Sequence, residues 1–511
     1  MLRSHARSRG KSVALISGKR RVTYAELFEM SSKLASYLKS IGVKEGDKVA
    51  LFLRNSIEFP VSVFAVSALS AVCIPINTFL KSDELSYIVE DSDAVAMIAS
   101  TVHARTVESS MAPENCLSIV WEGGTDEEVG CTHRCFYDIL SDMEPLEDSE
   151  TAGGSLDDTA VIFYTSGTTG KPKGAMLSNR NIFSNAESAM ELFHIGPSDR
   201  SIVFLPMFHS FTFSIAMMLP LYAGGSVVVI QSLRPFGNIF KQVLLRRVTL
   251  FFGVPDLYNA IAKADLPWYF LWFNRIRVFV SGASALRKHT LEAMQKRFRR
   301  AKLLEGYGLS EASPAVCINT LEKQKVGSVG PAMPGYEVKI VDEAMRELPT
   351  GEVGEIAVIG DNVMQGYYRR PEATRETLRD GTLLTGDLGR LDEDGYLYIV
   401  DRKKDMIISK GINIYPREIE EHIDRFPGVK ASAVVGIADD RSGEIPVAFI
   451  EPEDEVPSID SGEVRRYLGK LLASFKIPKH IVIVEELPRN ATGKILKREL
   501  RESAEEKISS S

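Results

Sequence analysis

Apolar and polar positions alternate along most of the chain in a way that predicts strands and helices in turn. Residues 23–40 carry apolar side chains at helical spacing, and Thr23 stands three residues before Glu26, a pair typical of a capped helix start. A short apolar run at 47–53 is interpreted as a buried strand, with a helix after it. The same alternation resumes over residues 178–304. This order predicts an α/β fold with mainly parallel sheets.

The pattern changes near residue 330, where short strand candidates are separated by Gly and Asp turns. Residues 330–400 therefore predict a small antiparallel sheet or barrel. Beyond the charged run 401–405, the helix and strand candidates suffice for a separate small α+β domain. We expect a large N-terminal α/β domain over residues 1–401, which includes this β-barrel-like subdomain, and a small C-terminal domain over residues 406–511.

The composition is that of a soluble globular protein, with 44% hydrophobic and 25% charged residues among 511. A net charge of −7 argues against a general nucleic-acid-binding protein. The five cysteines form no dense framework, which favours a reducing compartment, and we expect a cytoplasmic location. Residues 59–76 form the most apolar stretch, but serines interrupt it and Pro75 stands near its end. It predicts a buried helix and a strand instead of a membrane span.

A glycine-rich stretch between two strand candidates is the strongest candidate for chemistry. Residues 164–174 read YTSGTTGKPKG, a mixture of glycines, hydroxyl side chains and lysines. Glycines let backbone N–H groups approach anionic oxygens, and successive N–H groups form anion-binding nests. The stretch is not a standard P-loop, because only two residues separate Gly167 from Gly170 and Pro172 follows Lys171. It predicts a polyphosphate site, and an ordinary surface loop is the alternative.

Polar or glycine-rich clusters follow several other strand candidates, at residues 206–213, 281–285 and 305–311. In open α/β sheets, ligands bind beyond the carboxyl ends of the strands. We therefore expect these clusters to converge on one site.

With these motifs the chain resembles the adenylate-forming superfamily of acyl-CoA synthetases, luciferases and adenylation domains, and looks most like a fatty-acyl-CoA synthetase. The resemblance runs from residue 23 to about residue 500. It rests on five motifs in the family's order, at residues 164–174, 206–211, 306–311, 385–387 with 401–411, and 490–494.

The resemblance implies two half-reactions that use ATP, Mg²⁺ and CoA. A substrate carboxylate attacks the α-phosphate of ATP, which releases pyrophosphate and leaves an acyl-adenylate. The CoA thiol then attacks the activated carbonyl and displaces AMP. Because the substrate itself is the first nucleophile, the enzyme has to position groups and neutralise phosphate charge.

The resemblance also implies an ATP site. The residues expected to hold the phosphates are Thr165, Ser166, Gly167, Thr168, Thr169 and Lys171. Those expected around the adenine are Gly282, Ala283, Ser284, Glu305, Gly306, Tyr307 and Gly308. Ser310 and Glu311 match the family's hydroxyl–glutamate pair, and Glu311 with Thr165 is expected to hold Mg²⁺. Asp387 is expected to bind the ribose, with Arg402 beside it.

Two lysines are expected to have roles that differ between the two half-reactions. By resemblance, Lys494 is a catalytic residue that contacts the reacting carboxylate during adenylation. Lys404 is expected to be the hinge residue, within residues 402–405, about which the C-terminal domain rotates. One departure from the family pattern is Ile408, where some relatives carry a lysine; Lys410 is not assumed to replace it.

The acyl pocket is expected to follow the motif at residues 206–211. His209, a catalytic candidate beside the acyl carboxylate, is joined in this pocket by Phe213, Gly253, Val254 and Pro255. Phe213 is predicted either to gate the pocket or to belong to the core. Gly253 and Gly308 are expected to leave room for an acyl chain.

The expected substrate is a medium- or long-chain fatty acid, and three alternatives stay open. They are an aryl- or other carboxylate–CoA ligase, a ligase that charges an acyl carrier protein, and a catalytically dead nucleotide-binding protein. Lys494, Asp387, Arg402 and Glu311 argue against the last. The expected partners are the carboxylate, ATP and CoA, and not nucleic acid; peripheral membrane contact and a homodimer are left open.

Overall fold

The computed structural model describes residues 1–123, 132–147, 154–165, 171–231, 236–284, 286–409, 412–439, 442–453, 459–489 and 495–509. These residues form two compact units. Unit 1 comprises residues 1–338 and 358–383, and unit 2 comprises residues 339–357 and 384–511. The expected hinge at residues 402–405 thus lies inside unit 2 and stays a prediction, as do the expected domain limits.

The strands of the described chain are between two and eleven residues long. In chain order they are β1 (Val13–Ser17), β2 (Arg20–Thr23), β3 (Lys48–Phe52), β4 (Val72–Pro75), β5 (Ala94–Ala99), β6 (Ser118–Trp121), β7 (Thr132–Cys135), β8 (Thr159–Thr165), β9 (Lys173–Ser178), β10 (Arg200–Val203), β11 (Ser226–Val229), β12 (Leu250–Gly253), β13 (Val278–Ser281), β14 (Lys302–Gly308), β15 (Ala315–Ile318), β16 (Glu337–Val341), β17 (Gly354–Ile359), β18 (Gly366–Tyr367), β19 (Leu378–Arg379), β20 (Thr382–Leu391), β21 (Leu397–Arg402), β22 (Ile407–Ser409), β23 (Ile412–Ile414), β24 (Val429–Asp439), β25 (Gly443–Pro452) and β26 (His480–Ile483).

The helices lie mostly between these strands. The α-helices of the described chain are α1 (Leu2–Arg9), α2 (Tyr24–Ser40), α3 (Glu58–Ala68), α4 (Ser82–Ser92), α5 (Ala104–Glu108), α6 (Ala112–Asn115), α7 (Phe136–Asp142), α8 (Asn179–Phe193), α9 (Leu219–Tyr222), α10 (Phe236–Arg246), α11 (Pro255–Lys263), α12 (Trp268–Phe273), α13 (Lys288–Arg297), α14 (Pro371–Thr377), α15 (Pro416–Ile423), α16 (Ser461–Leu468) and α17 (Lys497–Ser509).

Unit 1 contains two eight-stranded sheets, and both are mainly parallel. The first has the order β15-β14-β13-β12-β10-β11-β1-β2, with antiparallel pairs only at its two ends among the pairs described. The second has the order β18-β9-β8-β4-β3-β5-β6-β7. In it β8 pairs antiparallel with β9, so the glycine-rich stretch connects two strands of a hairpin. The predicted α/β fold with parallel sheets is confirmed.

Two further sheets are smaller. One has the order β16-β17-β20-β19, with β21 paired to β20, and the other has the order β23-β22-β25-β24, with β26 paired to β25. The second of them lies in unit 2. Alternate residues of β24 face two cores. Val434 packs with residues of α15 and α16, whereas Val435 packs with residues of α17. The sheet β23-β22-β25-β24 and the helices α15, α16 and α17 agree with a small α+β C-terminal domain, as the sequence predicted, whereas unit 2 also includes residues 339–357 and 384–405.

Two local predictions are confirmed in atomic detail. The Thr23 side chain accepts a hydrogen bond from the Glu26 amide, and the Glu26 carboxylate accepts one from the Thr23 amide, which forms a capping box at α2. The apolar stretch predicted to be a buried helix and a strand forms α3 and β4. None of the helices in the described residues combines the length and the apolar character needed to cross a bilayer.

A buried carboxylate joins the starts of three strands in the first sheet. Asp199, before β10, accepts hydrogen bonds from Arg277 Nη2 at 2.9 Å, Thr249 Oγ1 at 2.8 Å and the Gly196 amide at 3.0 Å. Burial alone would raise the pKa of this carboxyl, but the hydrogen bonds from Arg277, Gly196 and Thr249 outweigh burial and hold the pKa below its usual value. Asp199 therefore stabilises the end of the sheet at which these strands begin. The site is expected at the other end, beyond the carboxyl ends of the strands.

We predict that Asp199→Asn lowers the free energy of unfolding by about 2 to 3 kcal/mol at neutral pH, because it leaves the Arg277 guanidinium without its carboxylate. The folded-state pKa is depressed, so this contribution is complete above the unfolded pKa of about 4 and is lost as the pH falls through the folded pKa. Urea unfolding across this pH range measures the effect. The matched control is Asp157→Asn, which breaks an exposed pair with Arg180 and should change little. Equal effects of the two substitutions would contradict the prediction.

Candidate functional site

The β8–β9 hairpin positions the residues that flank the glycine-rich stretch. Thr165 is the last residue of β8, and its Oγ1 lies 3.5 Å from the Lys173 carbonyl. The Lys171 ammonium lies 5.1 Å from the centre of the Tyr87 ring, and that of Lys173 lies 5.5 Å from the centre of the Tyr367 ring. Both lysines are thus held by aromatic faces. Four of the predicted phosphate-binding residues, Ser166, Gly167, Thr168 and Thr169, lie outside the described residues.

Glu311 stands in a short 3₁₀ turn, Ser310–Ala312, that follows β14. The Tyr367 hydroxyl donates a hydrogen bond of 2.9 Å to Glu311 Oε1. Burial, together with the Glu311 charge, raises the pKa of Tyr367 far above its usual range, so the phenol stays a hydrogen-bond donor. The Ser310 hydroxyl lies 2.9 Å from the Ser210 hydroxyl, which ties this turn to the segment that carries His209.

One backbone segment, residues 361–368, joins the Glu311 turn to the hairpin, and we call it the strap. The Met364 amide donates to the Glu311 carbonyl at 2.9 Å. Two residues further, β18 pairs antiparallel with β9, and the Tyr368 amide donates to the Gly174 carbonyl at 2.8 Å. The strap therefore fixes Tyr367 between Lys173 and Glu311.

Two features of the strap depend on single residues. Asn362 is fully buried, and its Nδ2 donates to the Ala312 and Ala315 carbonyls, both at 3.3 Å. Gly366 has φ +139, and a Cβ there would lie 2.8 Å from Thr374 Cγ2. Glycine is required at this point, because a side chain would be strained and crowded.

The predicted adenine-binding residues follow β13 and lie along β14. The carboxylate of Glu305 is buried and accepts a hydrogen bond of 2.9 Å from the Leu286 amide. It holds the loop after Ser281 against β14. Ala283, in the same loop, has φ +71, which is unusual for a residue with a side chain. The structure thus brings Gly282, Ala283 and Ser284 next to Glu305, and Ala285 lies outside the described residues.

Two of the glycines expected near the acyl chain are packed closely against other parts of the protein. A Cβ at Gly308 would lie 2.1 Å from the Pro314 carbonyl oxygen, and one at Gly253 would lie 3.0 Å from Leu257 and Tyr258 side-chain atoms. These glycines permit close packing of the protein with itself. Their expected contribution of space for an acyl chain stays a prediction.

The segment around His209 is lined by aromatic rings. The Phe211 amide lies 3.4 Å from His209 Nδ1 and the Phe211 ring packs edge-to-face on Phe252, with 6.3 Å between ring centres. A Cβ at Gly282 would be in van der Waals contact with Phe211. Phe213, in contrast, is 1% exposed and packs edge-to-face on Phe59 and Phe163. Its packing is that of a core residue, the second of the two predicted roles.

Unit 2 brings together two other predicted residues. Asp387 of β20 and Arg402 of β21 are register partners, and Arg402 Nε lies 3.5 Å from Asp387 Oδ1. Lys404 lies in the 3₁₀ turn Lys403–Asp405 that follows. Lys494 lies outside the described residues, so the structure adds nothing to its predicted role.

Sequence reasoning missed a buried lysine in unit 2. The Lys497 ammonium lies 2.7 Å from Glu420 Oε1, with both side chains mostly buried. Burial opposes its charge, but the carboxylates of Glu420, Asp401 and Asp405 outweigh burial and raise the pKa of Lys497. The ion pair links the start of α17 to α15. A lone lysine after the motif at 490–494 gave no signal of this.

The donor set fits a magnesium ion held mainly by phosphates. Within the described residues, no group of three or more His, Cys, Asp or Glu side chains is arranged to hold a metal. Mg²⁺ commonly takes one or two carboxylates and completes its shell with phosphate oxygens and water. A single carboxylate such as Glu311, oriented by Tyr367, suits that mode of binding.

Comparison with known families decides the class of protein. Residues 2–368 match the model of the family described as AMP-binding enzyme, and residues 418–494 match that of the AMP-binding enzyme C-terminal domain. The chain belongs to the AMP-binding enzyme family. The predicted membership of the adenylate-forming superfamily is thereby confirmed.

Individual relatives of this AMP-binding enzyme differ in substrate. A feruloyl-CoA synthase of Amycolatopsis sp is 36% identical, with 97% of this chain and 96% of that protein covered. A long-chain-fatty-acid–CoA ligase of Salmonella typhimurium is 32% identical, with 95% and 91% covered. Among solved structures, ATP-bound MatB from Rhodopseudomonas palustris superposes with a TM-score of 0.88 at 32% identity, with 98% of each chain covered. The chain is accordingly an ATP-dependent, AMP-forming acid–thiol ligase.

We predict that Tyr367→Phe raises the Mg²⁺ concentration needed for half-maximal ATP binding by about tenfold, because a residue that orients a metal ligand affects metal affinity to that extent. Isothermal titration of the catalytically idle enzyme with ATP, at several Mg²⁺ concentrations and without acid, measures this directly. Tyr368→Phe is the matched control, since its hydroxyl donates to Asp93 and not to Glu311. An unchanged Mg²⁺ requirement in Tyr367→Phe would show that the Tyr367 hydroxyl does not orient a metal ligand.

Proposed function

We propose that this ligase activates a medium- or long-chain fatty acid to an acyl-adenylate and transfers the acyl group to the thiol of CoA. In the first step, a carboxylate oxygen forms a bond to the α-phosphorus of ATP while the bond to pyrophosphate breaks. In the second, the CoA sulfur bonds to the acyl carbon and AMP leaves. AMP and pyrophosphate are the products besides acyl-CoA.

The observation that carries the adenylation step of this proposal is the arrangement made by the strap. Tyr367 of the strap contacts both the Lys173 ammonium, through its ring, and the Glu311 carboxylate, through its hydroxyl. These contacts lie beside the hairpin that carries Thr165. A cation for phosphate oxygens and a carboxylate for a divalent ion are the two groups that phosphoryl transfer needs. Mg²⁺, when bound, would supply charge neutralisation of the phosphates.

The residues of the chain then have the following proposed roles. Lys171 and the hydroxyls of residues 165–169 hold the β- and γ-phosphates, and Glu311 with Thr165 holds Mg²⁺. Asp387 accepts hydrogen bonds from the ribose, and Lys494 contacts the carboxylate during adenylation. We further propose that residues 402–405, with Lys404, form the hinge for the second step.

The chemistry of the predicted acyl pocket supports an apolar acid. Of the predicted pocket residues, Phe213 packs in the core. Apart from His209, the others, Gly253, Val254 and Pro255, have no ionisable side chain. A dicarboxylate or an amino acid would need a charged partner for its second polar group, because an unpaired buried charge is costly. A hydrocarbon chain needs none.

An aromatic acid is the second candidate, and a specific observation favours it. The edge-to-face pair Phe211 and Phe252 lies next to His209 and would suit a planar ring. The feruloyl-CoA synthase relative, at 36% identity, supports the same candidate. Transfer of the acyl group to the phosphopantetheine thiol of an acyl carrier protein, with AMP as the leaving group, stays an alternative for the second step.

We predict that AMP release in the presence of CoA increases from butyrate through octanoate to palmitate. Each buried methylene is expected to contribute about 0.8 kcal/mol, or about fourfold in kcat/KM, until the pocket is full. Benzoate and ferulate, tested in the same coupled assay, are expected to be poorer than octanoate. Higher kcat/KM for ferulate than for every fatty acid would establish the aromatic candidate instead.

We predict that Lys494→Ala slows acyl-adenylate formation by at least about a hundredfold, because it removes a charge aimed at the transition state. Thioester formation from a supplied acyl-adenylate should be retained. Single-turnover assays of the two half-reactions separate these effects, and Lys470→Ala, an exposed lysine of the same unit, is the control. Equal loss of both half-reactions would contradict the role given to Lys494.

A further inference from the structure

Helix α12 presents a contiguous set of aromatic side chains to solvent. Its sequence is WYFLWF, and four of its residues are largely exposed: Trp268 by 70%, Tyr269 by 48%, Trp272 by 65% and Phe273 by 69%. We call these four residues the aromatic patch. Scattered exposed apolar residues are normal, whereas a contiguous patch marks a contact site.

The orientation of the aromatic patch is fixed by the buried side of the helix. Phe270 is 2% exposed, and its ring packs on Phe240 at 5.1 Å and on Phe298 at 6.3 Å. The Asn274 side chain closes the helix by donating to the Phe270 carbonyl at 2.9 Å. Because Phe270 is anchored in the core, the patch cannot turn inward without breaking this packing.

The segments next to the aromatic patch are rich in lysine and arginine, although the whole chain is acidic. Residues 263–275 and 296–302 contain seven lysines and arginines and one acidic residue. Arg300 lies 5.8 Å from the centre of the Trp272 ring and donates to the Trp272 carbonyl at 3.2 Å, while Arg275 and Arg299 are exposed. Arg300 therefore belongs to the same surface as the aromatic patch, and Arg275 and Arg299 are exposed next to it in the sequence.

We propose that the aromatic patch docks the protein on a membrane surface that contains anionic phospholipid. Trp and Tyr rings favour the boundary between head groups and acyl chains, and neighbouring Lys and Arg side chains attract anionic head groups. Charge complementarity favours this occupant over a second copy of the chain, because two copies would bring like charges together. The proposal does not depend on which acid the enzyme activates.

Tryptophan fluorescence gives a direct test with the full-length protein. The chain has three tryptophans, and Trp121 is 1% exposed, so Trp268 and Trp272 are the ones that a surface contact can affect. Vesicles of phosphatidylcholine mixed with phosphatidylglycerol should bind the protein and shift its emission to shorter wavelength. Pure phosphatidylcholine should bind it more weakly, and added salt should weaken the anionic interaction.

Variants identify the surface. Trp272→Ser with Phe273→Ser should lower vesicle partitioning by about tenfold or more, since binding follows the apolar area inserted. Arg299→Glu with Arg300→Glu should lower binding to anionic vesicles selectively. Phe79→Ser, which removes an aromatic residue 68% exposed elsewhere in unit 1, is the control.

Thermal unfolding and vesicle-free ligase activity of each variant verify that it is folded. The proposal is overturned if the folded double variants partition like the wild type, or if the wild type binds no vesicles. It is also overturned if sedimentation shows a dimer that the Trp272→Ser and Phe273→Ser substitutions dissociate, because the occupant would then be a second copy.

Discussion

The backbone hydrogen bonds of the strap are the constraint on which the candidate site depends. The Glu311 turn lies between β14 and β15 of one sheet of unit 1, whereas the β8–β9 hairpin belongs to the other sheet, so their relative position requires contacts that join the two sheets. Residues 361–368 do this by pairing with β9 and by hydrogen bonding to the Glu311 and Ala312 carbonyls. Backbone bonds of this kind are insensitive to side-chain changes, except at Asn362 and Gly366, where a buried amide and a positive φ are needed.

Electrostatics in this part of unit 1 relies on neutral groups that orient charged ones. Tyr367 is a hydrogen-bond donor to Glu311 and an aromatic face for Lys173, and its raised pKa keeps it neutral. The lysine and the carboxylate are thus positioned without forming a direct ion pair among the contacts described. Both charges would stay available for a ligand. Unit 2 differs in this respect, because the Lys497 ammonium forms a direct, mostly buried ion pair with the Glu420 carboxylate.

Much of the fold followed from local pattern, because strands and helices in an α/β protein have distinct periodicities. The capping box at Thr23, the buried α3 and the alternating strands were all readable for that reason. The sequence predicted the site only as a set of separate motifs, without the contacts between them. That Tyr367 orients Glu311, or that Asn362 holds the Ala312 carbonyl, depends on contacts between residues about fifty positions apart. Gly308 is a second example of what the sequence did not predict. The sequence shows that the residue is small, but not that the neighbouring Pro314 carbonyl leaves no space for a side chain.

The central claim is that the site forms an acyl-adenylate before CoA takes part. The most direct measurement is exchange of labelled pyrophosphate into ATP in the absence of CoA, with and without the carboxylic acid. We expect exchange that requires the acid, needs Mg²⁺ and proceeds without CoA. Exchange that requires CoA, or ATP breakdown to ADP and phosphate in place of exchange, would contradict it.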